Sequence, residues 1–373
     1  MPDPGGVVVL LDPAADRYGA SRFTAALAQQ LADEGRQVEV WVPFDHGIGD
    51  LIDHELASLR IIGLPVLRRG DWTSLRAIRS LGLLAVQSAA LFRAAWSMRG
   101  RVSAVHAATL SSVAGIAIKA VAGAPLHWSV HETVRGRLEL RLFSAMLRRA
   151  DRLFACSEYV AEQFPDLTFT VAHTGTHLVD GVLPETRPVM ADSNAPVVLC
   201  VGRVNRWKGQ DLLLAALAEL HREGVPFVCR LVGGAFPGDE HLLDELREQA
   251  ARSGIEHLVE FVGEVDDPVD LFASADVVAV PSKIPEPFGK VVVEAMALGR
   301  PVIATSPGGP AEVIRSGVDG LLVPSGDLAA LTAALRQLLR DPAYAARLGE
   351  AAAQRARDFS ERATVSRIAA ETP

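Results

Sequence analysis

The sequence runs to 373 residues, of which 49% are hydrophobic, 22% charged and 6% aromatic, with a formal net charge of −8. That length gives two domains of about 150 residues, each with its own core, and the apolar content excludes a disordered chain. No run reaches the roughly 18 uncharged apolar residues that span a bilayer, Met1 to Gly6 lacks the basic start of a secretory signal, and the three scattered cysteines (Cys156, Cys200, Cys229) exclude a disulfide framework or zinc cluster and fit a reducing cytoplasm.

In chain order, Val7–Leu11 is a continuous apolar run, as a buried parallel strand requires. A loop follows to Ala20. Ser21 is placed to cap a helix with Phe23, Leu27 and Leu31 at helical spacing, and Gly35 ends it. Strands are expected at 38–42, 104–106, 126–130 and 152–155, with helices between them. Residues 181–196 are rich in Pro, Asp and Gly and read as a linker. The alternation restarts with strands at 197–201, 227–232, 259–262, 277–280 and 302–304 and helices at 210–223, 239–253, 269–274 and 290–298. The tail from Leu328 is helical and rich in Ala and Arg. The fold class is α/β: an N-terminal Rossmann-like domain (1–180), a linker (181–196), a second such domain (197–350) and a helical tail (351–373) that crosses back to the first. Two doubly wound domains facing across a cleft put ligands at the carboxyl ends of the strands.

Charge is unevenly spread. Residues 60–152 carry 15 Lys and Arg against only Asp71, Glu132, Glu139 and Asp151. Such an island, with Arg76, Arg79 and Arg93 in it, suits an anionic partner: a membrane surface, a phosphorylated acceptor or nucleic acid; the other reading is a solvated, arginine-rich helix face. The segment Leu81 to Phe92 also reads as ordinary core. Only four of the 37 basic residues are lysine (Lys119, Lys208, Lys283, Lys290), which a GC-rich genome explains on average. Each remaining lysine is therefore a place to look.

The second half carries the most chemistry. Gly202-Arg203-Val204-Asn205-Arg206-Trp207-Lys208-Gly209 follows a strand and opens a helix, so two cations and a helix N-terminus form an anion cradle suited to a diphosphate. Pro281 to Glu294 is a stiff, Pro-rich loop carrying Glu286, then Phe288, Gly289 and Lys290 at a helix start, with Glu294 about a turn inside. A paired-carboxylate hydrolase is one reading. A carboxylate within a helix beside a basic loop instead suits gripping hydroxyls. Pro307-Gly308-Gly309-Pro310 opens another helix, where Glu312 reads as a favourable helix-dipole carboxylate. In the first half His131 ends a strand, followed by Glu132; with no third ligand at a suggestive spacing the pair is a poor metal site. Gly19 precedes the first helix and lets backbone amides approach a phosphate.

Together these residues resemble the retaining, nucleotide-sugar-dependent glycosyltransferases of family 4, which have the two-domain GT-B fold. The likeness runs over nearly the whole chain: Glu286 to Glu294, Gly202-Arg203 with Lys208-Gly209, and Val262-Gly263 followed by Ala275-Asp276-Val277 occur in the family's order and spacing. It implies that Arg203 and Lys208 bind the donor diphosphate and stabilise the leaving group. Glu294 would hold the ribose hydroxyls. Glu286, with the backbone of Phe288, Gly289 and Lys290, would hold the transferred sugar. His131 would sit beside that sugar, Gly19 against the phosphate, Gly202 within the cradle, and the backbone from Gly263 to Val265 against the base.

The implied activity is transfer of a hexose-type sugar from a UDP- or GDP-sugar to a hydroxyl of a carbohydrate, lipid-linked or small-molecule acceptor, with same-face attack and retention, in polysaccharide, glycolipid or other glycoconjugate synthesis. No metal or other cofactor is expected, since prepositioned cations meet the charge on the leaving diphosphate and no Asp-X-Asp stands where a metal-dependent enzyme needs one. No nucleic-acid partner is expected. The expected location is cytoplasmic, at or near the inner face of the membrane. Two departures are visible: Gly19 is followed by Ala20-Ser21 where the family often has a second glycine, and Thr174-Gly175 replaces an Asn-Gly. A GT-B epimerase or phosphorylase and a catalytically silent sugar-nucleotide-binding protein share the fold; His131, Arg203, Lys208 and Glu286 together favour the transferase.

Overall fold

The structure is a computed structural model that describes residues 6–16, 19–62, 64, 87–181, 183, 186, 189, 195–236 and 238–373. Arg76, Arg79, Leu81 and most of the expected linker lie outside them. The chain forms two compact units, Met1–Thr174 with Glu361–Pro373, and Gly175–Ser360. No helix of the described residues is long and apolar enough to cross a membrane.

The first unit is a seven-stranded parallel sheet in the order β3-β2-β1-β4-β5-β6-β7. Its strands are β1 (Val7–Leu11), β2 (Gln37–Val42), β3 (Ala57–Ile61), β4 (Val102–Ala108), β5 (Leu126–Val130), β6 (Arg152–Ala155) and β7 (Thr170–Val171). Helices α1 (Gly19–Asp33), α2 (87–97), α3 (Ala114–Ala122), α4 (Arg137–Leu147) and α5 (Glu158–Ala161) connect them. β1, β4 and β5 are buried along their whole length, as strands covered on both faces must be; β1 is wholly apolar, while β4 and β5 also bury Ser103, His106, His127 and Ser129. Ser21 lies inside α1 and does not cap it: the helix starts at Gly19, and the Ser21 hydroxyl accepts from the Asp16 amide at 3.2 Å. Within the segment expected to be core, Leu91 is buried while Phe92 is 52% exposed, because one residue along the helix turns a side chain about 100° away from the buried stripe.

The second unit is a six-stranded parallel sheet in the order β10-β9-β8-β11-β12-β13. It comprises β8 (Val197–Val201), β9 (Val228–Val232), β10 (Val259–Gly263), β11 (Val277–Val280), β12 (Val302–Ser306) and β13 (Leu321–Pro324). Its helices are α6 (Gln210–Arg222), α7 (His241–Arg252), α8 (Val269–Ser274), α9 (Lys290–Ala297), α10 (Pro310–Val313), α11 (Leu328–Arg340) and α12 (Pro342–Ala356). Asp276, in the Ala-Asp-Val motif, is a stitch between strands: its buried carboxylate accepts from the Val197 amide at 2.7 Å. The buried Arg300 guanidinium donates to the Ala275 carbonyl at 2.9 Å.

The expected boundary at residue 180 falls slightly beyond the division at Thr174/Gly175, since the turn His177–Val179 packs on α9. The tail divides too. α12 packs on α9 in the second unit, whereas α13 (Glu361–Glu371) belongs to the first and lies along α1. Val365, Ile368 and Ala369 complete the core that Phe23, Leu27 and Leu31 begin. The Thr364 hydroxyl donates to the His173 carbonyl at 2.7 Å, and Arg36 to the Pro373 carbonyl at 2.9 Å.

Candidate active site

In the second unit the strand order reverses between β8 and β11, and a ligand site is expected at the carboxyl ends of those strands. The loops that leave them are the ones carrying the predicted residues. After β8 the chain turns through Gly202 and Arg203 to Lys208 and Gly209. Asn205 organises this turn: its Oδ1 accepts from the amides of Trp207 at 3.1 Å and Lys208 at 2.9 Å. Gly209, at φ +77°, caps α6 in the left-handed region, and a Cβ there would stand 2.0 Å from the Pro281 carbonyl oxygen. Only glycine lets the two loops come this close. Lys283 fastens the same junction, its amide donating to the Trp207 carbonyl at 2.7 Å and its ammonium pairing with Asp211.

The side chains then meet. Lys208 Nζ donates to Glu286 Oε1 at 2.7 Å. Glu286 is 5% exposed, and the Ser282 hydroxyl donates to the same oxygen. The Lys208 ammonium also lies 4.6 Å from the Trp207 ring centroid, and the Arg203 guanidinium lies 3.9 Å from that of Phe236. Behind Glu286 a second loop presses in: the Gly309 amide donates to the Glu286 carbonyl at 2.9 Å. Gly289 caps α9 with no side-chain hydrogen bond, and Lys290 opens the helix. Glu294 sits half-buried on that helix. Phe288 is buried, its ring 6.0 Å from that of Phe359, so its side chain serves packing and only its backbone lines the loop. Gly263 ends β10 and its carbonyl accepts from the Gly233 amide at 2.7 Å; Val265 is half-buried in the loop beyond.

In the first unit the predicted residues are His131 and Gly19. Gly19 opens α1, and Phe23 of that helix holds its ring 4.9 Å from the His131 ring. His131 leaves the carboxyl end of β5. Its amide donates to Glu132 Oε2 at 3.2 Å, and both Glu132 oxygens accept from the Leu110 amide at 3.1 Å, so Glu132 ties the ends of β4 and β5. Burial pushes the Glu132 carboxyl up to about 7, against those amides, which favour the charged form. Asp12, at the end of β1, is buried beneath the same strand ends and likewise raised by burial, although its Oδ1 accepts from the amides of Ala14 and Ala15, both at 2.9 Å.

Sequence reasoning had no signal for Phe236 or the bracing role of Glu132, each of which acts through a partner that the sheet order brings near. Ser282 and Asn205 act on partners two to four residues away and are missed for another reason: a serine four residues before a glutamate is no signature, whereas an Asn two and three residues before the bonded amides is a readable turn signature.

Two family models match. Residues 18–175 match "Glycosyltransferase Family 4" and residues 185–355 match "Glycosyl transferases group 1". Among curated relatives, the D-inositol 3-phosphate glycosyltransferase 1 of Catenulispora acidiphila is 34% identical over 61% of this chain and 58% of its own length. The D-inositol 3-phosphate glycosyltransferase of Corynebacterium aurimucosum is 38% identical over 46% of this chain and 41% of its own. The chain thus spans about half the length of the curated relatives it matches. Among solved structures, Anabaena Alr3699/HepE in complex with UDP and glucose superposes with a TM-score of 0.82 at 25% identity, over 98% of both chains. The sucrose-phosphate synthase of Thermosynechococcus elongatus shares the fold with a TM-score of 0.80, at 24% identity over 98% of both chains. With one matched domain following the other along nearly its whole length, the chain belongs to the family 4 glycosyltransferases of the GT-B fold.

Proposed function

We propose that this protein is a retaining glycosyltransferase that moves a hexose-type sugar from a nucleoside-diphosphate sugar to an acceptor hydroxyl in glycoconjugate synthesis. The observation that carries the reading is the meeting of Lys208 with Glu286 at the switch point of the second sheet, beside the Arg203 turn and the start of α9. The relatives are named for inositol phosphate, which favours a hydroxyl acceptor of that kind, and a solved relative holds UDP and glucose, which favours a UDP-sugar donor here.

The chemistry follows from charge. As the glycosidic bond breaks, negative charge gathers on the leaving diphosphate, and fixed cations stabilise it without reorganising. An ammonium has three donors, of which Glu286 takes one, so Lys208 can serve phosphate while still held in place. Arg203 offers a flat fork of donors steadied by the Phe236 ring. The first amides of α9 add the helix-terminal charge. Glu286 and Glu294 grip sugar and ribose hydroxyls, and the departing phosphate takes the acceptor proton. The cations are the protein's own, so the reaction needs no metal.

A panel of UDP-, GDP-, TDP- and ADP-sugars, assayed for hydrolysis and for transfer to inositol phosphate and other hydroxyl acceptors with and without EDTA, tests this. Turnover of one donor, undiminished by EDTA and giving a product with the donor's anomeric configuration, is expected. Binding without turnover would identify a silent protein, epimerised donor an epimerase, and inverted product would overturn retention.

A further inference from the structure

We propose that the outer face of helices α2, α3 and α4 in the first unit is a docking surface for an anionic lipid bilayer. The inference gives the expected lipid-linked acceptor a physical context, but it rests on this surface alone and not on the transferase reading.

The argument begins with charge. Between Asp71 and Glu132 the sequence has no acidic residue, so every formal charge borne by α2 and α3 is positive. Topology then places the helices. The connections β3 to β4, β4 to β5 and β5 to β6 all run the same way across the sheet, and right-handed crossovers put α2, α3 and α4 on one face. α1 runs the opposite way, and α13 covers it there. The α2–α4 layer is therefore an outer layer of the unit.

Its exposed residues are the wrong kind for water alone. On α4, Leu138 is 81% exposed and Leu142 52% exposed, one turn apart, while the helix buries only Leu147 completely. Exposed Arg137 and Arg141 stand next to these leucines. On α2, Phe92 is 52% and Trp96 55% exposed; their rings stack at 5.8 Å and the Arg99 guanidinium lies 5.2 Å from Trp96. α3 between them exposes Ala117 and Ala120 and keeps its one charge out of play, since Lys119 donates to Asp151 and to the Arg149 carbonyl. An apolar groove of about 270 Å³ between α2 and α3, lined by Leu91, Phe92, Ala95, Val113 and Val121, continues the patch. Single exposed leucines need no explanation, but a layer of them does. Aromatic and aliphatic side chains among arginines, with no acid on α2 or α3 and Glu139 alone on α4 against Arg137 and Arg141, match the interface of an anionic bilayer: rings and leucines enter the headgroup boundary and guanidinium groups meet phosphate.

The test is co-sedimentation of the full chain with phosphatidylcholine vesicles, with and without phosphatidylglycerol, in the absence of any nucleotide sugar. The chain should bind vesicles containing phosphatidylglycerol at least about tenfold more tightly than pure phosphatidylcholine, with affinity falling as salt rises. Leu138→Ser with Leu142→Ser, and separately Arg137→Glu with Arg141→Glu, should each weaken binding about tenfold or more. These side chains are exposed, so circular dichroism and the thermal midpoint should hold, as should donor hydrolysis in solution. Equal binding to both vesicles, no binding to either, or binding that both double variants retain would overturn the proposal; retained binding would also place the charge attraction elsewhere on the chain. A protein that docks but turns over no donor would sink the transferase reading and leave this one standing.

Discussion

Lys208 and Glu286, 78 residues apart in sequence, meet at 2.7 Å, with the Lys208 side chain 20% exposed and that of Glu286 only 6%. The pair joins the loops after β8 and β11, so one contact sets both the cation proposed for the diphosphate and the carboxylate proposed for the sugar. Truncating the lysine therefore does two things. Lys208→Ala removes the cation proposed to meet phosphate and strands a buried carboxylate, which costs about 3 kcal/mol of stability. The double variant Lys208→Met with Glu286→Gln removes both charges and should be more stable than Lys208→Ala, while remaining inactive. Urea unfolding and donor titration on the two variants separate the structural from the functional loss. A Lys208→Ala protein as stable as the parent would show that the pair does not organise the loops.

Gly309 sets the back of the same site. A Cβ at this position would stand 2.3 Å from Phe288 Cα and 2.5 Å from the Pro287 carbonyl oxygen, and both are backbone. Neither can rotate away, so Gly309→Ala must push the Glu286 loop bodily. We expect about 1–3 kcal/mol of destabilisation and a fall in kcat/KM well beyond what that loss implies, because Glu286 moves relative to Lys208. Thermal unfolding with steady-state kinetics checks it; an active, stable variant would show that the loop has slack. Gly309 itself sits at φ −54°, so none of this cost is left-handed backbone strain.

Much of this site is legible in the sequence because the chemistry is local. Arg203 and Lys208 share one loop, Glu286 to Glu294 one loop and helix, and apolar runs such as Val7–Leu11 declare their strands. Reading fails where a residue works through distance. Phe236 means nothing until β9 delivers it beneath Arg203, and Ser282, only four residues before Glu286, is readable only once the loop between them is seen to turn back. β3 and β13 escape notice for another reason. Ala57–Ile61 is a half-exposed edge strand carrying Arg60, and Leu321–Pro324 is a four-residue edge strand ending in proline. Glu132 is read as half of a poor metal site, whereas the adjacency of β4 and β5 makes it a backbone clamp.

That clamp has a pH signature. Burial raises the Glu132 carboxyl from the ordinary 4.5 to about 7 in the folded chain. The fold therefore prefers the neutral acid, and the unfolded chain gives up its proton first. Stability from this group is intact below about pH 4.5 and is lost progressively as pH rises to about 7. Glu132→Gln keeps an acceptor for the Leu110 amide and removes the charge. Relative to the parent it should gain about 2 kcal/mol between pH 5 and pH 8, measured by urea unfolding at both. His106 runs the other way: buried, with Nε2 and the Ser129 hydroxyl 2.8 Å apart, it is pushed down to about 3 and loses stability as pH falls below 6.5. A Glu132→Gln difference that does not grow with pH would mean the carboxyl is already charged in the fold.

The Arg203 guanidinium gives a prediction that separates its charge from its orientation. It lies 3.9 Å from the Phe236 ring centroid, and Phe236 is 44% exposed, so the ring is a platform and not part of the core. A cation over an exposed ring gains about 0.5–1 kcal/mol, enough to favour one orientation of the fork but little beside the stability of the unit. Phe236→Ala should therefore leave the thermal midpoint nearly unchanged and raise the donor KM about two- to fivefold, with the charge at Arg203 intact. Arg203→Lys should cost more than the ring does, because an ammonium cannot present two parallel donors to a phosphate. Combining the two substitutions should add little to Arg203→Lys alone, since the platform then has no flat group to hold. Donor KM and kcat for the three variants decide it. Fully additive losses would mean that Phe236 touches the donor directly, and an unchanged KM in Phe236→Ala would mean that Arg203 is oriented by other contacts.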